Sequence, residues 1–206
     1  MILEKGQTIL FQGDSVTDCG RSRENDQDLG RGYAMMIAAR LTAERPDLGL
    51  HFINRGISGN RSGDLVERWQ EDCLDIKPDW VSIMIGINDT WRRYDRNNHT
   101  STETYGENLQ RLFQMTSAAG IGLIVIEPFF LPYPEDRRTW HVDLDPKVAA
   151  LRELAYTYAA RYIPLGGLMH AASQLLPYAV WAADGVHPTP AGHALICQAF
   201  LDAVSR

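Results

Sequence analysis

Thr8-Ile9-Leu10-Phe11-Gln12-Gly13-Asp14-Ser15 is the stretch on which the fold turns. Its apolar start, residues 8–11, has the make-up of a buried strand. It breaks at Gly13, directly before Asp14 and Ser15, and the polar turn Thr17-Asp18-Cys19-Gly20-Arg21 follows. In an open parallel sheet, ligands sit outside the carboxyl ends of the strands, near the point where strand order reverses. A serine one step past the first strand therefore stands where chemistry is done. Taken alone, Ser15 fits a helix cap just as well.

Working outward, a helical segment over 31–44 repeats Tyr33, Ile37 and Leu41 on one face, with Pro46 beyond its end. His51-Phe52-Ile53-Asn54 reads as a second strand running into the turn Gly56-Ile57-Ser58-Gly59-Asn60, and Leu65, Trp69 and Cys73 mark the inner face of the next helix. Residues 80–85 form a continuous apolar run, as expected of a central strand covered on both faces. That run breaks at Gly86-Ile87-Asn88-Asp89, after which a long polar loop is expected. A helix bearing Tyr105, Leu109, Leu112 and Thr116 then stops at Gly120, before a fourth strand at 121–126. Residues 128–146 are expected to be an aromatic, proline-rich loop, long enough to carry function. Val148, Leu151, Ala155 and Tyr158 face inward from a further helix. Tyr162-Ile163-Pro164-Leu165 reads as the fifth strand, and Asp184-Gly185-Val186-His187-Pro188 precedes a last helix over 190–204. Strands alternating with helices in this way indicate parallel βαβ units. The expectation is a three-layer α/β/α sandwich, a single domain over 1–206.

The composition narrows the function. The 206 residues are 45% hydrophobic and 22% charged, as in ordinary globular proteins. A net charge of −6 without a basic block argues against a nucleic-acid partner. The six histidines show no metal-ligand spacing, so no metal or other cofactor is expected. Three widely spaced cysteines, Cys19, Cys73 and Cys197, suit a reducing compartment. No apolar leader opens the chain, and no run approaches the ~18 apolar residues of a membrane span. The expected setting is cytoplasmic, with a small-molecule partner, no membrane, and a homo-oligomer left open.

Serine hydrolysis needs a nucleophile, a base, an orienter for the base, and donors for the oxyanion. Each strand end offers one. Ser15 follows the first strand. Gly59 follows the second, where a backbone N–H can approach a ligand without a Cβ in the way. Asn88, with an amide donor, follows the third. Asp184 and His187 are three residues apart on one late loop, close enough for the carboxylate to hold the imidazole. Singly, each has a structural reading: a positive-φ glycine, a turn asparagine, a helix cap. Together they are far harder to dismiss. A phosphate loop is not supported, because residues 56–63 lack the Gly-Lys-Ser/Thr ending. Gly-x-Ser-x-Gly is absent, and a two-carboxylate glycosidase would leave Ser15 and Asn88 without roles.

The blocks Gly13-Asp14-Ser15, Gly59, Gly86-Ile87-Asn88-Asp89 and Asp184-Gly185-Val186-His187, in that order, resemble those of the SGNH (GDSL) hydrolases. The resemblance implies a flavodoxin-like five-stranded parallel sheet and metal-free ester hydrolysis. Ser15 would be the nucleophile, His187 the base and Asp184 its orienter, with Ser15 N–H, Gly59 N–H and the Asn88 side chain as oxyanion donors. Residues 11–21, 54–60 and 85–92 are most similar to the family's bacterial intracellular xylan acetylesterases. This implies acetyl esters of xylo-oligosaccharides as substrates. One departure stands out: the branch carries tryptophan immediately before the triad aspartate, where this chain has Ala183, with Trp181 two positions earlier. Asp14, Asn60, Trp91, Arg92 and Trp181 are the expected substrate contacts, and Tyr94, Tyr133, Trp140 and His141 are expected to help line the cleft. A lysophospholipase or thioesterase for longer acyl chains, and a non-catalytic α/β ligand-binding domain, are the competing readings.

Overall fold

Successive residues of a strand point to opposite faces of its sheet, and here both faces are apolar. The computed structural model describes residues 1–158 and 160–205. In chain order it places β1 (Thr8–Gly13), α1 (Ser15–Asp18), α2 (Tyr33–Glu44), β2 (His51–Asn54), α3 (Ser62–Trp69), β3 (Trp80–Met84), α4 (Ile87–Arg96) and α5 (Thr102–Ala118). Then follow β4 (Gly122–Ile126), α6 (His141–Thr157), β5 (Arg161–Ile163), α7 (Leu165–Ser173), α8 (Tyr178–Trp181) and α9 (Pro190–Ser205). The strands pair in parallel, in the order β2-β1-β3-β4-β5. Ile9, Phe11, Ile124, Ile126 and Ile163 pack on one face against Tyr33, Ile37 and Leu41 of α2 and Ile196, Phe200 and Val204 of α9. Leu10, Val81, Ile83, Leu123 and Val125 pack on the other face against Leu65 and Trp69 of α3, Leu109 and Phe113 of α5, and Leu151 of α6. This is the flavodoxin-like α/β/α sandwich. Strand order reverses between β1 and β3, which puts the residues after β1 and β3 on either side of the crevice.

A smaller apolar cluster, Ile87, Phe130, Trp140, Leu144 and Val186, lies at the carboxyl ends of the strands. It ties α4 and the passage after β4 to the loop that carries Asp184 and His187. Tight apposition holds that loop in place. Gly185 (φ +82°) gives its carbonyl to Leu131 N–H at 2.7 Å, and a Cβ there would come within 2.0 Å of the Tyr133 carbonyl oxygen.

Three expectations need correction. The polar loop expected after Asn88 is α4. Ile87, Trp91 and Tyr94 recur at helical spacing, but the five charged residues among Asp89–Arg96 mask the stripe, and burial is confined to the first turn. Residues 128–146 are not all loop: a 3₁₀ turn covers Glu135–Trp140, and α6 starts at His141. Pro146 lies inside α6, where it lacks an N–H to donate, yet Leu144 and Leu151 bury a face that keeps the helix whole. The fifth strand ends at Ile163, because Pro164 caps α7 instead of prolonging the strand. Among the described residues, no helix is long and apolar enough to cross a membrane.

Candidate active site

Ser15 is the first residue of α1, directly after β1. Asp14 caps that short helix by accepting the Val16 N–H at 3.0 Å, which fixes the backbone on either side of Ser15. The loop between α8 and α9 is pinched by a bridge between Ala182 and Pro188, and presents Asp184 and His187 from one tight turn. The structure brings all three together. Ser15 Oγ lies 2.9 Å from His187 Nε2, and His187 Nδ1 lies 2.8 Å from Asp184 Oδ2. With Nδ1–H donated to the carboxylate, Nε2 is free to accept the Ser15 hydroxyl proton. The second Asp184 oxygen accepts the N–H groups of Val186 (3.0 Å) and His187 (2.7 Å).

These contacts set the charges. Burial works against an ionised Asp184, but the bonds from the His187 ring and from two backbone N–H groups outweigh it and hold the carboxyl well below the usual range. His187 is raised above its ordinary value, first by its bond to Asp184, while burial and the Arg137 cation oppose the rise. The pair is thus an ionised carboxylate steadying an imidazole that can take a proton.

The oxyanion candidates sit at three successive strand ends. Ser15 N–H lies in the first turn of α1, where helix geometry supplies no acceptor. Gly59 adopts φ +87°, a conformation that suits glycine, in a turn held to β1 by Ile57 N–H donating to Gly13 O at 3.1 Å. The Asn88 amide is fixed from both ends: Nδ2 donates to Asn60 O at 3.1 Å, and Oδ1 accepts Arg92 Nη2 at 3.0 Å. Nδ2 retains a second hydrogen for a ligand.

The expected substrate contacts fare differently. Asp14 is 1% exposed and lies beneath the serine, with its carboxyl raised to about 7 by burial. The Asn60 side chain is taken by Arg68 Nε at 2.8 Å. Arg92 is engaged with Asn88 and Asp95, so it orients the amide donor. The Trp181 side chain leans on the α2/α9 face of the core, and its carbonyl accepts Thr189 N–H at 3.0 Å. Trp91 does stand beside the triad, its ring centroid 5.8 Å from that of His187. Trp140, expected in the cleft, is 4% exposed and packs on Trp91 and Tyr94. His141 instead lines a separate cavity of about 290 Å³, with Glu127, Phe130 and His170.

Two residues escaped the sequence reading. The Arg137 guanidinium lies over both the Trp91 ring (4.6 Å) and the Trp140 ring (4.8 Å), which contact each other, and is 3.9 Å from the Asp184 carboxylate. Arg68 bonds to the turn that carries Gly59. Arg137 lies in the segment read as loop and left no signal. Arg68 had only an i,i+4 partner, Asp72, of the kind any surface helix shows. Among the described residues, no group of three or more His, Cys, Asp or Glu side chains is arranged to hold a metal ion.

A family model described as GDSL-like Lipase/Acylhydrolase matches residues 11–195. The acetylxylan esterase of Geobacillus stearothermophilus is 37% identical over 212 residues, covering 98% of this chain and 95% of that protein. A solved acetylxylan esterase structure from the same organism aligns with a TM-score of 0.91 at 36% identity, over 100% of this chain and 97% of that one. A structure from Parabacteroides merdae, named for its likeness to GDSL lipases, reaches a TM-score of 0.95 at 34% identity, over 98% and 97%.

Proposed function

The chain belongs to the GDSL-like lipase/acylhydrolase family and is a carboxylic ester hydrolase; from that premise we propose that it removes O-acetyl groups from xylo-oligosaccharides through Ser15, His187 and Asp184. The observation that carries the catalytic reading is the unbroken relay from Ser15 Oγ through the His187 ring to Asp184, with links of 2.9 and 2.8 Å. Ser15 attacks the ester carbonyl as His187 Nε2 takes its proton. The developing oxyanion is met by the N–H groups of Ser15 and Gly59 and by Asn88 Nδ2. As the ester C–O bond breaks, the imidazolium protonates the departing sugar oxygen, which leaves as a hydroxyl, and the acetyl group stays on Ser15. Water, deprotonated by His187, releases acetate. Asp184 stays ionised throughout and steadies the imidazolium. No step needs a metal, and residues 1–206 are read as one catalytic domain.

The substrate half of the proposal rests on similarity along almost the whole chain to an acetylxylan esterase. Three free cysteines fit a cytoplasmic setting, in which imported oligosaccharides are the accessible esters. The test is a p-nitrophenyl ester series from acetate to octanoate, run beside acetylated xylo-oligosaccharides, with Ser15→Ala as control. Turnover is expected to peak at acetate, to include the oligosaccharides, and to fall by about 10⁴–10⁶ in the folded Ser15→Ala variant. A peak at octanoate with untouched oligosaccharides would favour a lipolytic or thioesterase role. Ester turnover that survives Ser15→Ala would overturn the triad, and a wild type without turnover would point to a ligand-binding domain.

A further inference from the structure

Ser15, Gly59 and Asn88 come from three different strand ends, so their donors can converge only if those ends are held in register. The Arg68 side chain, on α3, reaches two of the three directly. Nε donates to Asn60 Oδ1 at 2.8 Å, Nη2 to Gly13 O at 3.4 Å, and Nη1 to Asp72 Oδ2 at 2.8 Å. Gly13 is two residues before Ser15. Asn60 follows Gly59 directly, and its carbonyl receives Asn88 Nδ2. Asp72, which anchors the guanidinium, is itself stitched to β1, since its carbonyl accepts Gln12 Nε2 at 2.6 Å. The Arg68 side chain is only 14% exposed, so solvent screens these bonds little. A planar guanidinium can serve three acceptors in three directions at once, which an ammonium on a flexible stem cannot do in the same geometry.

We propose that Arg68 is a positioning residue of the oxyanion site, locking the Gly59–Asn60 turn, and through it the Asn88 amide, to the strand end that carries Ser15. It touches no substrate. It acts by keeping the donors where the oxyanion forms, so its effect is confined to species that carry that charge. The proposal rests on the triad reading above.

The experiment compares Arg68→Lys and Arg68→Met with wild type on p-nitrophenyl acetate, alone and in an Asn88→Ala background. Melting temperatures are recorded for every variant. The rate of inactivation by a p-nitrophenyl phosphonate, whose adduct with serine mimics the tetrahedral intermediate, is measured alongside. Deleting a whole oxyanion donor costs about 10²–10³ in kcat. Loosening one is expected to cost about 10-fold in kcat for Arg68→Lys and more for Arg68→Met, with KM within about twofold. Phosphonate inactivation should slow by the same factor as kcat. With Asn88 already removed, Arg68→Lys should cost markedly less, because the two residues act through one turn. Arg68→Lys keeps a cation beside Asp72, so it remains informative if Arg68→Met does not fold. The proposal is overturned if folded Arg68→Lys retains full kcat, if its loss lies in KM alone, or if its loss adds fully to that of Asn88→Ala. Wild-type enzyme lacking Ser15-dependent turnover would instead remove the triad reading, and this proposal with it.

Discussion

At the scale of single residues, the pH response of the site turns on His187. Ser15 and Asp14 face it from the end of β1, Asp184 from its own loop, Arg137 from the segment before α6, and His193 from α9. The bond to Asp184 raises the ring and Asp14 adds to the rise, while burial and Arg137 oppose it. In the proposed mechanism only the neutral ring can take the Ser15 proton, so kcat/KM should climb with pH through a midpoint above the ordinary value of about 6.5. Arg137→Met removes the opposing cation and should move that midpoint further up. Arg137→Lys should hold it nearer to wild type, though without the planar guanidinium over the Trp91 and Trp140 rings. A pH–rate series on p-nitrophenyl acetate decides the matter, and a midpoint that stays put or moves down in Arg137→Met counts against it. The sequence could name His187 and Asp184, because an Asp-x-x-His spacing is local. It could not name Arg137, whose relation to Asp184 exists only once the passage after β4 has folded over the triad loop.

At the scale of elements, legibility followed burial. The strands at 8–11, 51–54 and 80–85 and the helices facing them were readable because each buries a regular apolar face. Helix α4 was not, since its stability comes from Ile87 and Trp91 at one end and from polar contacts along the rest, among them Arg93 to Asp143 at 2.9 Å. Helix α7 opens Leu165-Gly166-Gly167, poor helix-forming sequence that only tertiary packing of Leu165 and Met169 sustains. The triad loop is the element whose placement is most exacting. Gly185→Ala would force a Cβ onto the carbonyl oxygens of Tyr133 and Leu131, 2.0 and 2.5 Å away, at a φ that alanine resists. Backbone strain alone costs about 1–3 kcal/mol, and relief requires the loop to lift from the 127–134 passage. The expected outcome is a melting temperature lower by several degrees, together with a loss of kcat in the protein that still folds, as the Ser15–His187 distance opens. Unchanged kcat in that variant would mean that the loop is held by something other than this apposition.

At the scale of the whole molecule, the parallel sheet gathers the groups proposed to be catalytic at its carboxyl edge and also buries carboxylates beside them. Asp14 follows β1 and is raised to about 7, chiefly by burial, with Asp89 adding to the rise. Asp89, in the first turn of α4 after β3, is raised to about 6 by burial, although it accepts the Ser62 hydroxyl at 2.6 Å and the Ser62 N–H at 3.0 Å. The folded-state value of Asp14 lies above the 3.8 of the free group, so between about pH 4 and 7 the native protein holds a proton that the unfolded chain has released. The stability this contributes is whole below pH 4 and is lost as pH rises through 7. His193 acts in the opposite sense. It is buried and lowered to about 4, and its Nδ1 accepts the Tyr33 N–H that opens α2, so it loses stability as pH falls through 4. The wild-type curve alone therefore mixes two trends, and the informative quantity is a difference between variants. Asp14→Asn keeps the oxygen that caps Val16 N–H while removing the titration. Each unit of pKa shift is worth about 1.4 kcal/mol, and in a chain of this size 1 kcal/mol moves the melting temperature by roughly 2–4 °C. The melting temperatures of Asp14→Asn and wild type should therefore lie close together at pH 4.5, with the variant gaining several degrees on wild type by pH 8. A gap that stays level, or that widens in favour of wild type, would mean that Asp14 is ionised in the native protein and held so by its cap and by the His187 cation.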